Sequence, residues 1–130
     1  MKNLLLIFTL LFSSVFFSST SFAEWTKVSE GENGNTFYVD FKRIRKHDGF
    51  VYYWGLDNFL KPDVDGDLSV KKYMQVDCNL LRRMLLSGSS YNEPMGGGIS
   101  SSSYTPKNPE WTYPIPNSSG ETILKSVCSR

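Results

Sequence analysis

The chain has 130 residues, and its 14 lysines and arginines face 13 aspartates and glutamates, which leaves a net charge of +1. Such a balance argues against a nucleic-acid-binding protein, because phosphate contacts require a surplus of basic residues. The length is enough for one small domain, whose core alone gives modest stability.

Residues 1–23 have the layout of a secretory signal peptide. Lys2 supplies the positive charge near the N-terminus, residues 4–17 form a nearly unbroken apolar run, and residues 18–23 are largely small and polar. The apolar run of 14 residues, 4–17, is shorter than the roughly 20 that a bilayer core requires. The pattern therefore predicts a cleaved signal and not a transmembrane anchor.

Cleavage is expected after Ala23, because Ser21 and Ala23 place small side chains at the third and first positions before the cut. The mature domain then comprises residues 24–130, with 13 basic and 13 acidic residues. A lipid anchor needs a cysteine at the cut, whereas Cys78 and Cys128 lie far downstream. We expect an exported protein, periplasmic or secreted, without a membrane anchor after cleavage. The sequence leaves cell-surface association open.

The two cysteines of an exported chain are most simply interpreted as one disulfide, Cys78–Cys128. Such a bond closes a long loop and stabilises a small domain by roughly 4 kcal/mol in the chain-entropy model. A zinc site is a poor alternative, because zinc prefers four ligands and only His47 is available to join the two thiols.

After the signal, the chain has the residue pattern of antiparallel strands. Stretches rich in β-branched and aromatic residues are separated by Gly, Asn, Asp and Pro turns. Asp48-Gly49 suits a two-residue hairpin turn, since both residues tolerate positive φ. Residues 80–89 also match helical spacing, but we prefer a strand because the preceding strand needs a partner. The predicted strands cover residues 25–29, 36–40, 41–46, 50–60, 68–77 and 80–89.

The last part of the chain is predicted to be a long loop followed by a helix. Residues 87–117 are dense in Gly, Ser and Pro, which predicts a loop. Ser118 and Glu121 form a capping box, so residues 118–129 are predicted to be helical. The predicted fold is α+β: an antiparallel sheet of about six strands with one C-terminal helix tethered by the disulfide.

No motif indicates a catalytic, metal or cofactor site. His47 is the only histidine and lies next to a predicted turn, with no nucleophile paired to it by sequence. Alternating aspartates resemble the start of a calcium loop, but Met74 stands where the loop needs a bidentate Glu. We interpret them as a solvated turn; they are Asp63, Asp65 and Asp67.

A partner-binding surface is the more promising hypothesis. Alternation along a strand sends Tyr52 and Trp54 to one face and Tyr53 to the other, so at least one face presents a large ring. Basic residues on three neighbouring predicted strands add charges that suit an acidic partner; they are Lys71-Lys72, Arg82-Arg83 and Arg43-Arg45-Lys46. The candidate partner-binding residues are Tyr53, Lys71, Lys72, Arg82 and Arg83.

An ordered set of short segments extends over the mature chain. It includes Val51-Tyr52-Tyr53-Trp54, Leu60-Lys61-Pro62, Gly66-Asp67-Leu68-Ser69, Asp77-Cys78, Glu93-Pro94-Met95-Gly96-Gly97-Gly98 and Val127-Cys128. This set resembles the surface-adhesin protein E family of exported bacterial proteins. The resemblance implies the same sheet and tethered helix, adhesion to host matrix or serum proteins, and a capacity to form homodimers.

The leading hypothesis is therefore a non-enzymatic module that binds a host matrix protein or an envelope protein. Fold analogy also allows the protein to be a periplasmic inhibitor of a cell-wall hydrolase, and a structural envelope protein is a third hypothesis. An enzyme with paired carboxylates such as Asp40 and Asp77 is the rival from another class, because sequence alone does not place the two carboxylates relative to each other.

Overall fold

The computed structural model describes residues 23–130. The predicted signal peptide lies outside the described residues except for Ala23, so its cleavage stays a prediction. Among residues 23–130, no helix has the length and apolar character that crossing a membrane requires.

In chain order the elements are β1 (Thr26–Glu30), β2 (Thr36–Val39), a 3-10 turn (Phe41–Arg43), β3 (Arg45–His47), β4 (Phe50–Asn58), β5 (Ser69–Asp77), β6 (Arg82–Tyr91), a second 3-10 turn (Pro94–Gly96), β7 (Ser100–Tyr104) and α1 (Ser119–Cys128).

The strands of the described chain form a single antiparallel sheet. Its order is β1-β2-β4-β5-β6-β7, and β3 pairs with β4 beyond the end of β2. Between β3 and β4, Asp48 and Gly49 have φ values of 50° and 82°, which confirms the predicted hairpin turn. The predicted α+β class, with an antiparallel sheet of about six strands and one C-terminal helix, is confirmed.

Helix α1 packs against one face of the sheet. It begins as predicted, because the Ser118 hydroxyl accepts a hydrogen bond of 3.3 Å from the Glu121 N–H. We call the sheet face beneath α1 the helix face and the opposite one the outer face. The hydrophobic core between α1 and the helix face comprises Val39, Val51, Tyr53, Met74, Val76, Ile123, Leu124 and Val127.

The predicted disulfide joins this helix to the sheet. Cys128 is the last residue of α1, and Cys78 directly follows β5, with a Cα–Cα distance of 5.7 Å. The bond therefore holds the end of α1 at one end of the sheet, as the sequence predicted.

The prediction of an irregular loop over residues 87–117 is wrong for two segments. β6 continues to Tyr91, and Ser100–Tyr104 forms β7 at the edge of the sheet. The composition suggested a loop because these residues are not apolar. An edge strand that is exposed on both faces is held by backbone pairing more than by apolar side chains. Serine hydroxyls reinforce the pairing, since the Ser101 hydroxyl lies within hydrogen-bond distance, 3.1 Å, of the Ser90 carbonyl of β6.

Candidate binding surface on the outer face of the sheet

The alternation of β4 decides which aromatic side chains are available to a partner. Tyr53 points into the core and is 3% exposed, so the prediction that it forms part of a binding surface is wrong. Burial raises the pKa of its phenol well above the usual value of 10.0, although the nearby Arg83 acts in the opposite direction. Tyr53 is thus a neutral core residue, whereas Tyr52 and Trp54 lie on the outer face.

Three aromatic rings form a continuous row on the outer face. Trp54 lies opposite Tyr73 of β5, and their ring centroids are 4.8 Å apart. Tyr73 also stacks with Tyr52, with centroids 6.1 Å apart. All three residues are half-buried, so each ring keeps part of its surface in solvent. Aromatic residues so fixed by their neighbours lose little entropy when a partner covers them.

Basic side chains border this row on the side of β3. The Arg43 guanidinium lies 5.6 Å from the centre of the Trp54 ring, and Arg45 pairs across the strands with Tyr52. We call Arg43, Arg45, Tyr52, Trp54 and Tyr73 the aromatic–arginine surface. A shallow depression of about 510 Å³ lies here, lined by Lys42, Arg43, Ile44, Arg45, Trp54 and Tyr73. A second of about 240 Å³ adjoins it, lined by Arg45, His47, Tyr52 and Tyr73.

The bordering cations differ in how far the protein already neutralises them. Arg43 Nε donates a hydrogen bond of 2.6 Å to Asp40, which is 1% exposed beneath it. Lys42 forms an exposed ion pair of 2.9 Å with Glu24. Arg45 is exposed and forms no ion pair within residues 23–130. Arg45 is therefore the cation best placed to meet a charge from outside.

The far end of the outer face, beyond Trp54, is covered by the 3-10 turn Pro94–Gly96. Asn58 accepts a hydrogen bond of 2.7 Å from the Met95 N–H, and Ser69 accepts one of 2.8 Å from the Gly96 N–H. These bonds hold the turn over Leu56, whose side chain is fully buried. A partner cannot reach the sheet here without displacing the turn.

Trp111 covers the opposite end of the outer face. Its ring centroid lies 5.5 Å from that of Phe50, and the Arg82 guanidinium lies 4.4 Å above the Trp111 ring. Backbone hydrogen bonds between Thr112 and Arg83, 2.8 and 2.9 Å long, fix this segment beside β6. With both ends covered, the aromatic–arginine surface is the open centre of the outer face.

The basic residues proposed from the sequence do not come together. Strand alternation places Lys71 and Arg82 on the outer face and Lys72 and Arg83 on the helix face. Lys72 forms an ion pair of 2.6 Å with Asp57. Lys71 lies 4.8 Å from the centre of the Tyr91 ring, Arg82 bonds Asp77 at 3.0 Å, and Arg83 lies near the Tyr53 phenol, where its charge favours ionisation. Each of the four thus has a structural partner within the domain.

The carboxylates considered for catalysis are also engaged. Asp40 is held by Arg43, and Asp77 accepts hydrogen bonds from the Asn79 and Leu80 N–H groups as well as from Arg82. Both carboxylates are buried because each forms an ion pair within the fold. These contacts do not bring the two carboxylates together for acid–base chemistry.

Neither His47 nor the aspartate turn is among the five residues of the aromatic–arginine surface, although His47 lines the smaller depression beside it. His47 is exposed in its hairpin, with Nε2 3.1 Å from the Asp48 carboxylate. Asp63 accepts hydrogen bonds from the N–H groups of Asp65 and Asp67, so its carboxylate holds the turn closed. Ligand oxygens of the three aspartates lie within 4.8 Å of one another, yet Asp67 is buried and bonded to Ser101. The expected solvated turn is therefore correct for Asp63 and Asp65 only.

The sequence indicated Arg45 as one of several basic residues, but it did not place Arg45 and Tyr73 on one surface with Tyr52 and Trp54. Their signal was the strand register, since β4 pairs with β3 on one side and with β5 on the other. Counting from the Asp48-Gly49 turn places Arg45 opposite Tyr52, but no comparable short turn fixes Tyr73 opposite Trp54.

Comparison with solved structures shows the same fold in Haemophilus influenzae protein E. Crystal form II of that protein has a TM-score of 0.60 and 16% identity, covering 85% of this chain and 91% of that one. Another structure of the protein gives a TM-score of 0.58, 16% identity, and 85% and 87% coverage. Protein E from a non-typeable strain gives 0.55, 15% identity, and 86% and 79% coverage.

At this level of identity the structures show the fold alone. A comparison with curated proteins finds no match. The family model described as surface-adhesin protein E matches residues 25–129, nearly the whole of the described chain. The chain therefore belongs to the surface-adhesin protein E family.

Proposed function

We propose that this protein is an exported, non-enzymatic binding module that holds a protein partner on its aromatic–arginine surface. The observation that carries the proposal is the row of half-exposed rings left open between two covered ends of the outer face. Membership of a surface-adhesin family supports an adhesin-like role. A host matrix protein is accordingly the partner that we propose first.

The composition of the surface supports protein binding. Tyr, Trp and Arg are the residues that most often dominate the binding energy of protein interfaces. Here Trp54 and Tyr73 are fixed by packing against each other, and Arg43 is fixed by its ion pair with Asp40. A surface already ordered in this way loses little conformational entropy on binding.

Site-specific photo-crosslinking tests the proposal. Tyr52 is replaced by p-benzoylphenylalanine, and the purified mature protein is irradiated on immobilised matrix proteins and, separately, on envelope extracts. The matched control carries the same group at Tyr113, which is 64% exposed and lies on the helix side of the domain. Adducts are identified by mass spectrometry.

The proposal predicts one dominant adduct from position 52, suppressed by excess unlabelled protein, and little from position 113. An adduct with a matrix protein supports adhesion to the host, and an adduct with an envelope protein identifies the partner as bacterial. Equal labelling from both positions, or none from position 52 in either extract, contradicts the proposal.

A further inference from the structure

The two depressions of the aromatic–arginine surface have a one-sided charge. The side chains there that can carry a positive charge are Lys42, Arg43, Arg45 and His47, and no Asp or Glu lines either depression. The mature domain as a whole has equal numbers of basic and acidic residues, so this character is local and does not follow from a general excess of charge.

Two of these cations remain able to accept an external anion. Arg45 forms no ion pair within residues 23–130. The hydrogen bond between Arg43 and Asp40 uses Nε, and the Arg43 side chain is still 45% exposed. A guanidinium has further N–H donors beyond Nε, which suit a second carboxylate.

Both arginines face the same depression. Arg43 ends the first 3-10 turn and Arg45 begins β3, and both line the depression of about 510 Å³. Carboxylates on alternate residues of an extended chain share one face and are separated by about 6.6 Å. An acidic segment in this form presents its carboxylates to the two guanidinium groups from a single face.

We infer that the aromatic–arginine surface recognises a short, extended, acidic polypeptide segment, whose carboxylates meet Arg43 and Arg45 while its backbone and apolar atoms cover the rings. This inference rests on the proposed function and specifies the chemistry of the partner. A long polyanion such as a sulfated polysaccharide fits less well, because Pro94–Gly96 and Trp111 close both ends of the open area.

The test uses a fluorescein-labelled poly-L-glutamate of about 6 residues, which is about 20 Å long when extended at about 3.3 Å per residue. Poly-L-glutamine of the same length is the neutral comparison, and heparin is the sulfated one. The variant Arg45→Glu is compared with Lys46→Glu. Lys46 is the next residue of the same exposed strand and pairs with Val51, so its side chain lies on the other face.

Fluorescence anisotropy is expected to show binding of polyglutamate but not of polyglutamine. Arg45→Glu is expected to weaken it about tenfold or more, and Lys46→Glu by less than about twofold. Raising the salt to about 1 M should abolish binding, because the screening length then falls to about 3 Å. Circular dichroism and thermal melting confirm that both variants are folded.

Equal effects of the two variants, or equal binding of both peptides, would overturn the inference. Binding of heparin but not polyglutamate through Arg45 would also overturn it, in favour of a sulfated glycan. Failure of this inference is separable from failure of the proposed function. One such result is a partner that crosslinks at position 52 and binds equally well to the Arg45→Glu variant and at high salt. That result would support the binding surface and contradict only its specificity for acidic segments.

Discussion

Removal of the Cys78–Cys128 disulfide provides the strongest stability test. The cysteines are 50 positions apart, so the bond closes a loop of 51 residues counting both ends. In the chain-entropy model, a loop of this size restricts the unfolded chain by about 14 cal/mol/K, which is about 4 kcal/mol near 25 °C. The double variant Cys78→Ala/Cys128→Ala should lose about this much free energy of unfolding. Domains of this size are typically stable by about 5–15 kcal/mol, so the loss is a large fraction.

Urea unfolding measures this change through the fluorescence of the tryptophans, Trp25, Trp54 and Trp111. The control is the unsubstituted protein with its disulfide reduced, which retains both sulfur atoms and should lose a similar amount. The native far-ultraviolet circular dichroism should persist, because Ile123, Leu124 and Val127 still anchor α1. A loss below about 1 kcal/mol in both samples would refute the argument that loop closure is a major contribution.

Three further predictions concern the core, the response to acid and processing. Leu124→Ala removes a fully buried side chain and should lower the free energy of unfolding by about 2–5 kcal/mol, measured in urea; a loss below about 1 kcal/mol would contradict the assigned core. Burial opposes ionisation of Asp77, but hydrogen bonds from Leu80 and Arg82 outweigh this effect and hold the pKa of the carboxyl below 3.8. The ionised carboxylate therefore stabilises the fold above pH 3.8, and this stabilisation is lost as the pH falls through the pKa of the folded state. Asp77→Asn should therefore destabilise the protein at neutral pH, with a smaller difference from the unsubstituted protein near about pH 3; an equal difference at both pH values would contradict this linkage. Mass spectrometry of the exported protein should give a chain that begins at Glu24, whereas an intact residue 1–23 segment would contradict the predicted cleavage.

Local chemistry was sufficient to predict much of the fold. Asp48 and Gly49 adopt the positive φ values that a two-residue hairpin requires. Ser118 caps α1 with Glu121 in its first turn. Both signals act within four residues of chain and do not depend on distant contacts.

Features that depend on distant pairing were not predictable in the same way. β7 is a strand because Ser100–Tyr104 finds backbone partners on β6, although its serines have no intrinsic strand preference. A bulge in the β5–β6 register beside Tyr73 also shifts the pairing of the later residues. Composition contains neither piece of information.

The binding surface shows the same division. Alternation correctly separates Tyr53 from Tyr52 and Trp54, but it does not say which face α1 covers. The sequence-based choice of Tyr53 failed because the helix face, which Tyr53 occupies, is the covered one. Only the packing of α1 decides which rings remain open.

The central claim is that the outer face, and not the helix face, binds the partner. Its most direct test measures the affinity of the partner crosslinked at position 52 for Trp54→Ala and for Tyr104→Ala by surface plasmon resonance. Tyr104 is a matched exposed aromatic residue that lines a depression on the helix face. Trp54→Ala should weaken binding by about 30-fold or more, as expected for a central interface aromatic residue, and Tyr104→Ala by less than about twofold. A large loss with Tyr104→Ala and none with Trp54→Ala would contradict the account.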